Sequence, residues 1–236
     1  MNNISDELEI LKNCLKNLSV KFNERKDLER IHRYNLFNRR LSAVLDSFSD
    51  VETIAKRLEE NISTIENIER KIQKRNSTED KEIIKDDGQK LRKEGDRINR
   101  QNIVDFKALY AFAKIFLDDY TRLIRHIFDW RNIGNSSVTD FYKSLDSYDG
   151  EDQQVISFKE DCFNRLKAVD VFITQYRDDY VVHNQRKHKE ITWFLNKMQG
   201  DIRFIAGRPS ITPKQLIYVV SGYVCCAASF INKNIK

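Results

Sequence analysis

Only 7 glycines and 2 prolines interrupt 236 residues. A chain with so few breakers turns rarely, so its backbone must run in long helices. The apolar residues agree. Ile4, Leu8, Leu11, Leu15, Leu18 and Phe22 recur at steps of three and four, one stripe of an amphipathic helix. Ser5 is placed to cap it, with Asp6 and Glu7 in the favourable first turn. The stripe drifts on through Leu28, Ile31, Leu36, Leu41 and Leu45, as one helix or as two with a bend near Asp27. Phe48-Ser49-Asp50 predicts a break, after which Val51, Ile54, Leu58, Ile62, Ile65, Ile68 and Ile72 restore the period. Residues 1–75 therefore read as an amphipathic helical hairpin. Its apolar faces need the other helix, the C-terminal half, a protein partner or a second copy of the chain.

Residues 76–100 change character. Charge dominates, Gly88 and Gly95 intervene, and the segment reads as a charged linker. From Ile103 to Trp130 a wide apolar and aromatic stripe predicts the central helix. Within it Asp118 and Arg122 are spaced to pair, and no third ligand joins Asp118 and Asp119 around a metal. Arg131 to Ser136 is a turn by composition, and Ser137 can cap a short helix through Leu145. A long helix follows, carrying Val155, Phe158, Cys162, Leu166 and Val169 on one side. Ile191, Phe194, Leu195 and Met198 continue an apolar face that Gly200 ends. Thr212-Pro213 opens the last helix, in which Leu216 to Ile231 is uncharged. That run is shorter than the roughly 20 residues of a membrane span. It reads as a core or interface helix, with no membrane partner.

A net charge of +5 is compatible with a polyanionic partner without demanding one. Cys14, Cys162, Cys225 and Cys226 lack metal-ligand or disulfide-framework spacing, which predicts a reduced, cytoplasmic protein. No secretory h-region occurs near Met1.

Chemistry concentrates in Val171 to His188, VFITQYRDDYVVHNQRKH. In a regular helix Arg177 and His183 stand about 240° apart, so they converge only if the helix bends or ends, or if two chains meet there. Asp179 and His183 are four apart and can pair, which would orient the imidazole. Tyr176 and Tyr180 are spaced to flank a phosphate or a base, and Arg186, Lys187 and His188 suit phosphate contacts. RNA cleavage through the 2′-hydroxyl needs a base, an acid and a cation near the phosphorane. One arginine and one histidine from each of two symmetry-related chains supply all three. The same residues also read as an ion-pair network on a solvated helix end.

Arg177, Asp178 directly after it, five residues between Arg177 and His183, and Val181-Val182 before the histidine together resemble the signature of the HEPN superfamily (higher eukaryotes and prokaryotes nucleotide-binding domain). The resemblance covers residues 101–236 and leaves 1–75 as an elaboration. It implies an all-α, usually dimeric, metal-independent endoribonuclease without cofactors, often a toxin or antiviral defence effector. Arg177, His183 and Asp178 would be catalytic. Tyr176, Asp179, Tyr180, Arg186, Lys187 and His188 would orient or bind RNA. Members paired with nucleotidyltransferase antitoxins carry a tyrosine two positions after the histidine. This chain has Gln185 there, so that partner is not expected. The alternative is a non-catalytic helical interaction module working through residues 1–75.

Overall fold

A computed structural model describes residues 3–24, 31–76, 83–134, 136–175, 192–196, 201–205 and 212–234. These form six α-helices: α1 (Ile4–Glu24), α2 (Ile31–Asn76), α3 (Ile83–Phe128), α4 (Val138–Asp146), α5 (Gln153–Asp170) and α6 (Pro213–Asn234). The architecture is an all-α bundle. A π-helical turn, Val171–Gln175, continues α5, and strands β1 (Thr192–Asn196) and β2 (Asp201–Ile205) form one antiparallel hairpin. That hairpin corrects the expected helical face through Phe194 and Leu195: Thr192 pairs with Ile205 and Asn196 with Asp201. Ile191 and Met198 lie outside the described residues.

α2 and α3 dominate. Each has 46 residues, a rod of about 69 Å. They run antiparallel: Phe48 meets Phe116 with ring centroids 5.8 Å apart, Arg57 meets Asp105, and Ile65 and Ile68 cluster with Ile98. The expected break at Phe48-Ser49-Asp50 is absent. Ser47 Oγ donates to Ala43 O (2.7 Å) and Thr53 Oγ1 to Ser49 O (2.8 Å), so these hydroxyls bond back along the helix instead of capping a new one. Burial of Phe48 and Val51 holds the helix through this point.

The expected linker also changes. Residues 83–100 are the first turns of α3, with Ile98 buried and Leu91 partly so. A Cβ on Gly95 would stand 3.9 Å from Ile68 Cγ2, an ordinary contact distance, so the approach of the two helices here does not depend on glycine. Tertiary packing overrides the low helix propensity of that stretch. The outer α2–α3 cluster is separate from the main core. α1 folds back antiparallel on α2, as expected, with Lys12 meeting Glu52 (3.5 Å) and Ser5 meeting Glu59, and it packs more extensively on α6; the longest hairpin of the fold is α2–α3. At its start, Asn3 Oδ1 accepts from Asp6 N (2.7 Å) while Asp6 Oδ2 accepts from Asn3 N, making Asn3 the cap in place of Ser5. Ser5 instead donates to Glu59 on α2.

The core gathers around the second half of α3, where Phe106, Tyr110, Phe116, Tyr120 and Ile124 are fully buried. α6 lies against α1, α5 and α3. Leu216, Val220, Tyr223, Val224, Ala227 and Phe230 are all buried. Although α6 is long and apolar enough to cross a membrane, 56% of its apolar window is covered by the protein. Its core placement matches the sequence expectation, as does its start, where Thr212 Oγ1 accepts from Gln215 N (3.1 Å) and Gln215 Oε1 accepts from Thr212 N (2.9 Å). Tyr120 Oη donates to Val224 O at 3.0 Å, and burial holds this phenol far above its ordinary pKa.

One polar pair holds the long hairpin in register. Asp105, fully buried, accepts from Arg57 Nε (2.8 Å), from Arg57 Nη2 and from Gln101 Nε2 (2.9 Å). Removing one partner of a fully buried pair costs about 3–5 kcal/mol. Arg57 is 48% exposed, so water can reach the vacated side and the expected loss for Arg57→Ala is about 2–3 kcal/mol. Urea denaturation of wild type and variant measures it.

The cysteines depart from the reduced state that their spacing predicts. Cys14 of α1 and Cys225 of α6 form a disulfide across 211 residues of sequence. Cys162 and Cys226 are free, with sulfurs 3.3 Å apart. Burial pushes the Cys162 thiol well up, so it stays protonated and unreactive at neutral pH.

Candidate functional site

Tyr176, Arg177, Asp178, Asp179, Tyr180, His183, Arg186, Lys187 and His188 all lie outside the described residues. The chain leading to them is described. α5 starts at the Asp152 cap, which accepts from Gln154 N (2.8 Å), and buries Val155, Phe158, Cys162, Leu166 and Val169. At Val171 regular α-winding gives way to the π turn Val171–Gln175, with Ile173 fully buried. π turns inside helices are rare and are frequent at functional sites. This one ends two positions before Arg177.

A second constellation lies at the C-terminal end of α3. Arg122, Arg125, His126, Asp129, Trp130 and Arg131 line a cavity of about 80 Å³ together with Arg40 from α2. Four guanidiniums against one carboxylate make a net charge of +3 with His126 neutral. The local backbone explains the placement. Asp129 adopts a left-handed conformation (φ 54°), Trp130 N donates to Arg125 O (3.1 Å) and Asp129 N donates to His126 O (3.4 Å). This is a Schellman-type ending in which glycine is the usual residue. It reverses the chain and places Asp129 and Arg131 beside the last turn of α3.

Each cation is held differently. Arg122 donates to Asp119 Oδ1 (3.1 Å) and Ser136 O (2.9 Å), so the expected Asp118–Arg122 pair is replaced by an i,i+3 pair. Asp118 pairs with Lys114 (2.6 Å) and accepts from Val138 N (2.7 Å), tying α3 to the start of α4. Arg125 Nη2 donates to Arg131 O (3.0 Å), while its Nε is buried with no acceptor among the described residues. Arg131 reaches Asp129 only at 3.5 Å and is 79% exposed. No hydrogen bond or ion pair to Arg40 occurs among the described residues.

Trp130 forms the rigid wall. It is 3% exposed and packs on Phe128 (4.9 Å between centroids), Phe158 (5.3 Å) and Phe141 (6.5 Å). Its Nε1 is buried without an acceptor among the described residues. Such donors are rare in folded proteins, because each forfeits a hydrogen bond to water.

α4 connects the two regions. Ser137 caps it as expected, accepting from Asp140 N (3.1 Å). Asp118 and Arg122 fix its first turn to α3, and Thr139 donates to Asp170 (2.7 Å) at the end of α5. The arginine cavity and the helix delivering Arg177 are therefore anchored on the same short helix.

The sequence carried part of the signal for this cavity. Arg122, Arg125 and His126 share one helix face at i, i+3 and i+4, and Arg131 follows after the turn. Arg40 could not be joined to them, since only the antiparallel packing of α2 on α3 brings it there. Among the described residues no group of three or more His, Cys, Asp or Glu side chains could hold a metal ion. No family model, curated protein or solved structure matches the chain.

Proposed function

We propose that the chain is a metal-independent endoribonuclease of HEPN type that works as a homodimer, with Arg177 and His183 as its catalytic pair. The observation that carries this reading is the four-arginine cavity tied through α4 to the end of α5. A phosphodiester polymer needs cations beyond the cleavage point to hold its backbone, and this cavity offers them at the end of α3. The π turn at Val171–Gln175, a feature frequent at functional sites, lies just before the motif and also favours the reading.

In this reading His183 takes the proton of a ribose 2′-hydroxyl, and the oxygen attacks the adjacent phosphorus. The P–O2′ bond forms as the P–O5′ bond breaks. The partner subunit's His183 protonates the departing 5′-oxygen, while Arg177 stabilises the charged phosphorane. Asp178 and Asp179 orient the pair. Tyr176, Tyr180, Arg186, Lys187 and His188 hold bases and phosphates. An RNA-cutting protein of this kind would serve as a toxin or defence effector in the cytoplasm. Purified protein on a broad RNA panel tests the reading: cleavage by wild type and none by Arg177→Ala supports it, and an uncut panel removes it.

The outer half of the α2–α3 hairpin favours a second reading. Ile65, Ile68, Ile72, Leu91 and Ile98 bury one another in a small cluster away from the main core, which leaves the outer turns of α2 and α3 as an arm separate from that core. A cellular effect that survives His183→Ala but disappears when the outer turns of α2 and α3 are cut back would select this interaction-module reading.

A further inference from the structure

We propose that the cavity at the end of α3 is a binding site for a single phosphate group. For an RNA phosphate this rests on the reading above; for the free anion it stands alone. About 80 Å³ has room for roughly five water-sized groups, enough for one tetrahedral anion.

The electrostatics favour a dianion. The C-terminal end of α3 contributes about half a negative charge, and Asp129 one more. Asp119, paired with Arg122, adds a further negative charge; four guanidiniums still outweigh all of these, and Arg125 and His126 sit in the last turn, where cations offset the helix dipole. The terminal carbonyls of Arg125 and His126 are already engaged by Trp130 N and Asp129 N, so they do not seek a cation in the cavity.

The donors are prepared to different degrees. Arg122 and Arg125 are braced by Asp119, Ser136 O and Arg131 O, and Trp130 is locked by its aromatic neighbours. Arg125 Nε and Trp130 Nε1 are themselves sealed from solvent, so the anion would be held by the guanidinium ends of the four arginines that line the cavity. Arg40 and the exposed Arg131 supply adjustable forks. Arg131 would trade its long 3.5 Å contacts with Asp129 for a shorter bond to the anion. A carboxylate ligand offers two oxygens, whereas a phosphate offers acceptors in every direction from which these donors approach.

The test uses the full chain carrying Trp193→Phe, which leaves Trp130 as its one tryptophan. Inorganic phosphate is titrated at constant ionic strength while tryptophan emission is followed. A saturable change absent with chloride is expected. Arg40→Gln and Arg131→Gln should each weaken the apparent affinity by about tenfold or more, with Arg131→Lys retaining part of it. Unchanged helical circular dichroism and melting temperature in the variants show that the fold is intact. No saturable response, an equal response to chloride, or unaltered affinity in both glutamine variants overturns the proposal. A second arm compares short RNAs with and without a 5′-phosphate. Competition by the phosphorylated RNA alone assigns the site to a terminal phosphate, and equal competition by both assigns it to the backbone. Phosphate binding by a protein that cuts no RNA would retain this site and remove only the ribonuclease reading. Cleavage persisting without phosphate binding would do the reverse.

Discussion

His183→Ala is expected to lower RNA cleavage by at least about 100-fold, because a positioned general acid or base typically contributes 10²–10⁴-fold. The upper end of that range is expected if the histidine serves as base in one subunit and as acid for the other, since a homodimer variant loses both functions together. The fold should not respond. His183 follows the last described turn of α5 by eight positions, and the described residues of α3, α5 and α6 already build an extensive core among themselves. Circular dichroism and the oligomeric state should therefore match wild type. A coordinated loss of helix and activity would make His183 a structural residue, and full activity would return Arg177-Asp178 and Asp179-His183 to a surface ion-pair network.

Cutting the Cys14–Cys225 disulfide should have the largest effect on stability. The bond closes 211 residues of sequence, and constraining the unfolded chain over such a loop is worth about 5 kcal/mol in the chain-entropy model. Losses measured for native disulfides run at about 2–5 kcal/mol, so an expected cost of about 3–5 kcal/mol is consistent with both. For a chain of this size that lowers the melting temperature by roughly 10 °C. The bond also clamps α1 to α6, which pack on each other and are joined as well by the Lys21 Nζ to Asn232 O bond (3.0 Å). Cys14→Ser should melt at the lower temperature with or without reductant. Wild type should fall to that value only when reduced. A wild-type melt indifferent to reductant would refute the clamp.

The helices were legible because each buries one face, and a face buried on one side writes a three-four period into the sequence. α1 shows this through Ile4 to Leu18 and α5 through Val155 to Val169. Local capping was legible at Ser137 and Thr212, where the residue type alone limits the geometry. What failed depended on partners distant in sequence. Serines and an aspartate at 47–50 suit a cap or a continuous helix equally well, and only burial of Phe48 and Val51 decides. Residues 83–100 are charged because most of α3 there faces solvent, while Leu91 and Ile98 find α2. Thr192–Asn196 mixes aromatic and aliphatic residues that suit a strand as readily as a helix, and its pairing with Asp201–Ile205 settles the choice. Cysteine spacing cannot reveal that α1 lies beside α6. The candidate site divides in the same way. The Arg177–His183 motif is a sequence feature, whereas the cavity with Arg40 exists only after α2 and α3 have paired.

The chemistry at the cut ends gives the most direct measurement of all. RNA incubated with the protein in excess EDTA should yield fragments ending in a 2′,3′-cyclic phosphate and beginning with a 5′-hydroxyl, because in this account the 2′-oxygen is the nucleophile. Cleavage that EDTA abolishes, or fragments carrying 5′-phosphates and 3′-hydroxyls, would contradict an arginine–histidine ribonuclease.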